Sequence, residues 1–164
     1  MTFENNELVP GSASQPRPAV VFDVDGTLAE FDADALGHLV HGPVKYWDAF
    51  FDAMDVTAPV ADIERLLRIL HGTGQAIVIC TGRPEGWRDR TEAWLKAHEI
   101  PFDGVYLRPV DADHRSDEEV KEDLLHQIRA DGFAPWLVVD DRQSVVDKWR
   151  DLGLTCLQCA PGNF

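Results

Sequence analysis

The chain has 164 residues, 45% of them hydrophobic and 27% charged, with 29 acidic against 15 basic side chains for a formal net charge of −14. The length suits one domain whose core is large enough to fold unaided. So acidic a surface excludes general electrostatic grip on duplex nucleic acid, which needs a basic face, but leaves room for a local pocket that admits one phosphate. No apolar run approaches the roughly 18 residues of a membrane span, so no membrane partner is expected. The opening MTFENNEL lacks the basic and apolar segments of an export signal. Cys80, Cys156 and Cys159 are an odd count of thiols, read as reduced in a cytoplasmic chain.

In chain order, residues 1–18 are polar, rich in Ser, Pro and Gly, and predict a disordered leader; residues 19–164 then form a single domain. AVVF (19–22) is a short apolar run ended by Asp, Gly and Thr, the pattern of a central parallel strand buried on both faces. AIVIC (76–80) and WLVV (136–139) repeat it, and GVYL (104–107) and TCLQC (155–159) are weaker versions. Between these runs lie helical stripes: Ile63, Leu66, Leu67 and Leu70; Trp87, Arg90, Thr91, Trp94 and Leu95; Val120, Leu124, Leu125 and Ile128; Val145, Val146, Trp149 and Leu152. Alternating strands and helices imply right-handed crossovers, hence an α/β fold with a parallel sheet covered on both faces. Residues 30–59 break the alternation as a small insert containing one helix, YWDAFFDAM (46–54).

The chemistry concentrates where strands end. Asp23-Val24-Asp25-Gly26-Thr27 follows the first strand, and ligands of open parallel sheets bind beyond the carboxyl ends of the strands. Two carboxylates brought together are costly unless a cation lies between them, and a hard, oxygen-liganded ion such as Mg²⁺ suits them. A second pair, Asp140-Asp141, follows WLVV at the same edge. Thr81-Gly82-Arg83 follows AIVIC and offers a hydroxyl, an approachable backbone N–H and a guanidinium. Lys121 begins a helical stripe, with Asp117 four residues earlier. An ammonium and a hydroxyl converging on a metal-bound carboxylate describe a phosphate pocket.

These motifs, in this order, resemble the haloacid-dehalogenase-like phosphohydrolases. Within them the chain is most similar to the 3′-phosphatase domain of phage-type polynucleotide kinase-phosphatases, through CTGRPEGWRDRTEAWL (80–95), DHRSDEEVKED (113–123) and VVDDRQSVVDKWRDLGLTCLQCAPGNF (138–164). The resemblance implies a three-layer Rossmann-like fold with strand order 3-2-1-4-5 and a minimal cap insertion. It implies Asp23 as nucleophile, forming an aspartyl-phosphate, and Asp25 as the acid and then the base. Mg²⁺ would be held by Asp23, the main-chain carbonyl of Asp25, and Asp140, with Asp141 direct or through water; which of Asp140 and Asp141 is the direct ligand stays open. Thr81 and Lys121 would hold the phosphoryl group, and Gly82, Arg83, Asp117 and Arg142 would touch substrate or orient the lysine. The substrate class so implied is a DNA or RNA 3′ end or a nucleotide. Free nucleotides, another small phosphate ester, or an inactive binding module on the same fold are the rival readings.

Two departures matter. No GxxxxGK[ST] occurs in these 164 residues, which leaves a separate kinase partner as one possibility, and the region some ten positions past Asp23 reads Glu30-Phe31-Asp32-Ala33-Asp34 where phage-type members tend to carry a basic residue. The insert is too short for a full cap domain, so an open site is expected, suited to a polymer end or to a substrate partly covered by a second subunit. Tyr46, Trp47, Phe50 and Phe51 could stack a base, although packing on the core is the favoured reading. Residues 61–164 hold 13 of the 15 basic residues, and arginines 83, 88, 90, 108, 115 and 142 are expected to rim the site as a local positive edge. Trp94, Trp136 and Trp149 are read as core, and the Cys156/Cys159 pair as neither a zinc nor a redox site.

Overall fold

The computed structural model describes residues 15–162; most of the expected leader lies outside them. The first strand, β1 (Arg17–Phe22), starts two residues before the expected boundary, because Arg17 and Pro18 already pair with Phe133 and Ala134. After β1 come α1 (Ala33–Val40), α2 (Trp47–Met54), α3 (Ala61–Gly72) and β2 (Ala76–Pro84). A single 3₁₀ turn, Glu85–Trp87, leads to α4 (Arg88–Ala97), β3 (Gly104–Arg108) and α5 (Asp117–Ala130). The order closes with β4 (Phe133–Arg142), α6 (Gln143–Asp151) and β5 (Thr155–Gly162). The five strands are parallel, in the order β3-β2-β1-β4-β5, the Rossmann-like arrangement expected.

Period-two alternation divides the central strand between two cores. Ala19 and Val21 face a cluster with Leu124, Leu125, Val145 and Trp149 from α5 and α6. Val20 and Phe22 face Leu67, Leu95, Phe50 and Met54 from α3, α4 and the insert. A strand buried on both sides admits only apolar side chains, each contributing about 1.5–3 kcal/mol for a Val- or Phe-sized group, which is why AVVF carries no polar residue until it leaves the sheet.

The insert leaves and rejoins the core at adjacent points. Ala29 bridges Pro59, the Glu30 N–H donates to Ala58 O (2.9 Å), and the Val60 N–H donates to Leu28 O (2.8 Å). It holds two helices rather than one. Asp32 caps α1, accepting from the N–H groups of Asp34 and Ala35, so the acidic run at 30–34 serves a helix start.

Trp94 and Trp149 are buried as expected, but Trp136 is 47% exposed. Ala19 pairs with Pro135 and Val20 with Leu137, so Trp136 is the extra residue of a β-bulge. The bulge turns its indole outward, where Nε1–H donates to Gln75 Oε1 (2.8 Å). Among the described residues, no helix is long and apolar enough to cross a membrane.

Candidate active site

The loop after β1 takes its shape from backbone bonds. Thr27 N–H and Ala29 N–H both donate to Val24 O (3.1 and 2.8 Å), and Gly26 N–H donates to Ala29 O (2.9 Å). Gly26 adopts φ +86°, and a Cβ there would lie 2.4 Å from Asp141 Oδ2. Only glycine combines that backbone conformation with so close an approach. The glycine thus lets the carboxylate after β4 settle against the loop after β1, with the Thr27 hydroxyl donating to Asp141 Oδ1 (3.3 Å).

The ends of β1 and β4 bring together Asp23, Asp140 and Asp141. All three are buried, and each offers an oxygen within 4.8 Å of the others'. Asp140 is fixed by Trp149 Nε1–H (3.2 Å to Oδ2) and by the Arg142 N–H (3.2 Å to Oδ1). Lys121, 2% exposed, reaches in from α5. Its ammonium donates to Asp23 Oδ1 (2.7 Å), to Cys80 O (2.6 Å) and, at 3.4 Å, to Asp140 Oδ2. The start of α5 sets this reach: Ser116 and Glu119 form a reciprocal capping box, placing Lys121 on the buried side with Val120, Leu124, Leu125 and Ile128.

Burial raises the Asp23 carboxyl well above its ordinary range; Lys121 opposes that, while Asp140 and Asp141 add to it. Burial and then the Asp140 charge push Asp141 up to about 7. Burial works against the Lys121 charge, yet Asp23 and Asp140 hold its ammonium well above its usual value. Three buried carboxylates against one ammonium leave negative charge in a low dielectric, and a divalent, oxygen-seeking cation fits that donor set.

Asp25 departs from the expected group of four carboxylates. Its side chain turns to Arg83, which donates from Nη2 to Oδ1 (2.6 Å) and from Nε to Oδ2 (2.9 Å). Arg83 is fully buried and also donates from Nη1 to Asp55 Oδ1 (3.0 Å) and Thr91 Oγ1 (3.2 Å). The guanidinium outcompetes the cluster for Asp25 because a planar fork matches a carboxylate in two parallel bonds. Asp55, which joins the insert to this network, carries no local sequence signal and is not foreseen by motif; Trp149, read only as core, also orients Asp140.

Thr81 is buried, and its hydroxyl accepts from the Arg83 N–H (3.2 Å). Gly82 passes so near Asp117 that a Cβ would lie 2.9 Å from Asp117 Oδ1. Asp117 binds Arg108 and Arg142. Burial alone would raise its carboxyl, but Arg142, Lys121 and Arg108 together hold it below the ordinary range. The expected positive rim is therefore largely neutralised. Arg88 pairs with Glu85 and Glu92, Arg90 with Asp52 and Asp55, and Arg115 with Asp123. Cys80 and Cys156 are buried and Cys159 half-buried, all as free thiols; burial pushes them up to about 12, 12 and 11.

The aspartates at the strand ends, Thr81, Lys121, Asp117 and arginines 83, 108, 115 and 142 line a cavity of about 440 Å³, whereas Arg88 and Arg90 do not. Its floor carries Asp23, Thr81, Lys121, Asp140 and Asp141, and the insert supplies a wall with Lys45, Trp47, Asp48, Phe50 and Phe51. A carboxylate at the end of the first strand paired to a buried lysine, beside two further aspartates at the sheet's carboxyl edge, is the arrangement of a haloacid-dehalogenase-like phosphohydrolase. Residues 17–164 match the family described as the polynucleotide kinase PNKP phosphatase domain. The chain belongs to that family.

Two structures of a Pnkp1/Rnl/Hen1 RNA repair complex contain similar chains, at 27% and 26% identity with a TM-score of 0.73 for each. Each alignment covers 99% of this chain but only 48% and 53% of the matched one, so the chain spans about half the length of those relatives. The class C acid phosphatase from Bacillus anthracis shares the fold, with 17% identity and a TM-score of 0.62 over 92% of this chain and 68% of its own. The chain is thus a phosphatase domain of the haloacid-dehalogenase superfamily, with an aspartate triad able to hold a metal.

Proposed function

We propose that this domain is a Mg²⁺-dependent phosphomonoesterase that removes the 3′-phosphate from a DNA or RNA end or a nucleotide. The observation that supports it best is Asp23: a buried carboxylate on the cavity floor whose Oδ1 is held by Lys121. Asp23 forms the new O–P bond as the 3′-oxygen leaves, giving an aspartyl-phosphate. Asp25 supplies the proton to that oxygen, then takes one from the water that releases phosphate. For this, Asp25 exchanges part of its Arg83 pair for the leaving group, and Arg83 restores the carboxylate's orientation between steps. Thr81, the Gly82 backbone and Lys121 hold the phosphoryl oxygens, while Asp117 and Arg142 orient the edge of the pocket. Asp23, Asp140 and the Asp25 carbonyl would hold Mg²⁺, with Asp141 direct or through water; the ion, when bound, neutralises phosphoryl charge.

The test is phosphate release from 3′-phosphorylated oligomers, 5′-phosphorylated oligomers and mononucleotides, with Mg²⁺ or with a chelator, using wild type and Asp23→Asn. The 3′-oligomer is expected to be hydrolysed only with Mg²⁺ and only by wild type. Activity confined to mononucleotides would move the substrate to free nucleotides. Turnover by Asp23→Asn would remove the nucleophile, and binding without turnover by wild type would leave a phosphate-binding module.

A further inference from the structure

The insert's wall of the cavity has no part in the chemistry just described, yet it carries a cation of a different kind from the others. Six basic side chains line the cavity: Lys45, Arg83, Arg108, Arg115, Lys121 and Arg142. Five lie in salt bridges, Arg83 with Asp25 and Asp55, Arg108 and Arg142 with Asp117, Arg115 with Asp123, and Lys121 with Asp23. Among the described residues, Lys45 has no carboxylate within salt-bridge distance. It is exposed and lies over the indole of Trp47, 5.5 Å from the ring centroid. Trp47 is half-buried and held nearly parallel to Phe51 (17°, centroids 5.9 Å apart), with its edge-on neighbour Phe50 also 5.9 Å away. The favoured expectation of core packing holds for Phe50 and Phe51, 1% and 7% exposed, but Trp47 keeps a surface on the cavity.

Resting on the proposed 3′-phosphatase reading, we propose that Lys45 and Trp47 form a subsite for the nucleic-acid strand itself: Lys45 takes the first phosphodiester upstream of the 3′-phosphate, and the Trp47 indole takes the adjoining base. A cavity of about 440 Å³ has room for a leaving nucleoside as well as a phosphoryl group, being within the range of ordinary small-molecule sites. Cations already tied to carboxylates exchange one anion for another on meeting a phosphate, whereas an unpaired lysine gains a partner and releases a counterion. Lys45 exchanges only a cation–π contact, and its departure toward the phosphate bares indole surface for stacking. The subsite therefore selects substrates with at least one phosphodiester over mononucleotides, in a protein whose net charge of −14 would otherwise repel a polyanion.

The test separates binding from turnover. In an Asp23→Asn background, anisotropy of a 5′-fluorescein single-stranded decamer ending in 3′-phosphate is measured against salt. Lys45→Ala is expected to weaken binding about tenfold and to shrink the log–log salt slope by about 0.7, the loss of one phosphate contact on a single strand. Lys45→Arg should restore both. Trp47→Leu should weaken the decamer more than an otherwise identical one that is abasic at the terminal nucleotide. Affinity and slope unchanged in Lys45→Ala overturn the subsite, as does an equal weakening for a mononucleoside 3′-phosphate competitor. Wild type that fails to hydrolyse the decamer while binding it in a Lys45-dependent way overturns the 3′-phosphatase reading and leaves the subsite standing.

Discussion

An arginine without solvent must find acceptors for its donors, and Arg83 does so with Asp25, Asp55 and Thr91. That one side chain ties the loop after β1 to the insert and to α4. Burial works against its charge, and Asp25 and then Asp55 more than compensate, keeping it raised. Truncating one partner of a buried ion pair leaves the other uncompensated, at a cost of about 3–5 kcal/mol. Arg83→Ala should therefore lower the unfolding free energy measured by urea titration by an amount in that range, while Arg90→Ala, on the exposed rim, should hardly move it. A loss below about 1 kcal/mol would mean the pair matters little to folding.

At the scale of elements, α5 and β4 meet through Asp117, whose carboxylate binds Arg108 from β3 and Arg142 from the end of β4. Its folded-state value lies below the ordinary 3.8. A depressed carboxyl contributes stability that is fully present above the unfolded value and is lost as pH falls through the folded one. Unfolding midpoints between about pH 5 and 2 should therefore fall steeply for the wild type below 3.8. They should fall less steeply for Asp117→Asn, which starts from a lower plateau. Parallel curves would show that the arginines do not stabilise the folded state through this carboxylate. Element placement was largely legible beforehand: the five strands and the stripes of α3 to α6 follow from local periodicity. The missed helix, α1, is only eight residues long, barely two turns, and carries a glycine, Gly37, at its centre, so no helical period repeats along it. Trp136 was misplaced because a bulge, which shifts register by one, leaves no mark in an apolar run.

For the molecule as a whole, charge balance governs the response to metal. A buried triad of aspartates against one lysine favours whichever state neutralises it, so a cation that binds only the folded chain should stabilise it. At about a hundred times its Kd, Mg²⁺ should add about 2.7 kcal/mol. That amounts to a Tm rise of about 5–10 °C for a chain this size, relative to a chelator control and absent in Asp140→Asn. No shift for wild type would remove the metal from this triad. The same balance ties Lys121 to the packing of this edge of the sheet, since its ammonium is the one buried cation touching Asp23 and Asp140 among the described residues.

Sequence alone determined the sheet, the alternation of layers, and the positions where carboxylates leave the strands, because apolar runs, helical periods and strand-end motifs are local and survive without a partner in view. Tertiary structure decided which charge meets which. Asp25 went to Arg83, 58 residues away, instead of joining the triad, and Lys121 found Asp23 across 98 residues. The cavity's arginines, expected as a positive edge, are absorbed by carboxylates, which among the described residues leaves Lys45 as the cavity-lining cation without one. Such pairings depend on distances of a few ångströms between side chains far apart in the chain, and the strength of a Coulomb contact at that range is set by the surrounding burial, which no single stretch of sequence contains.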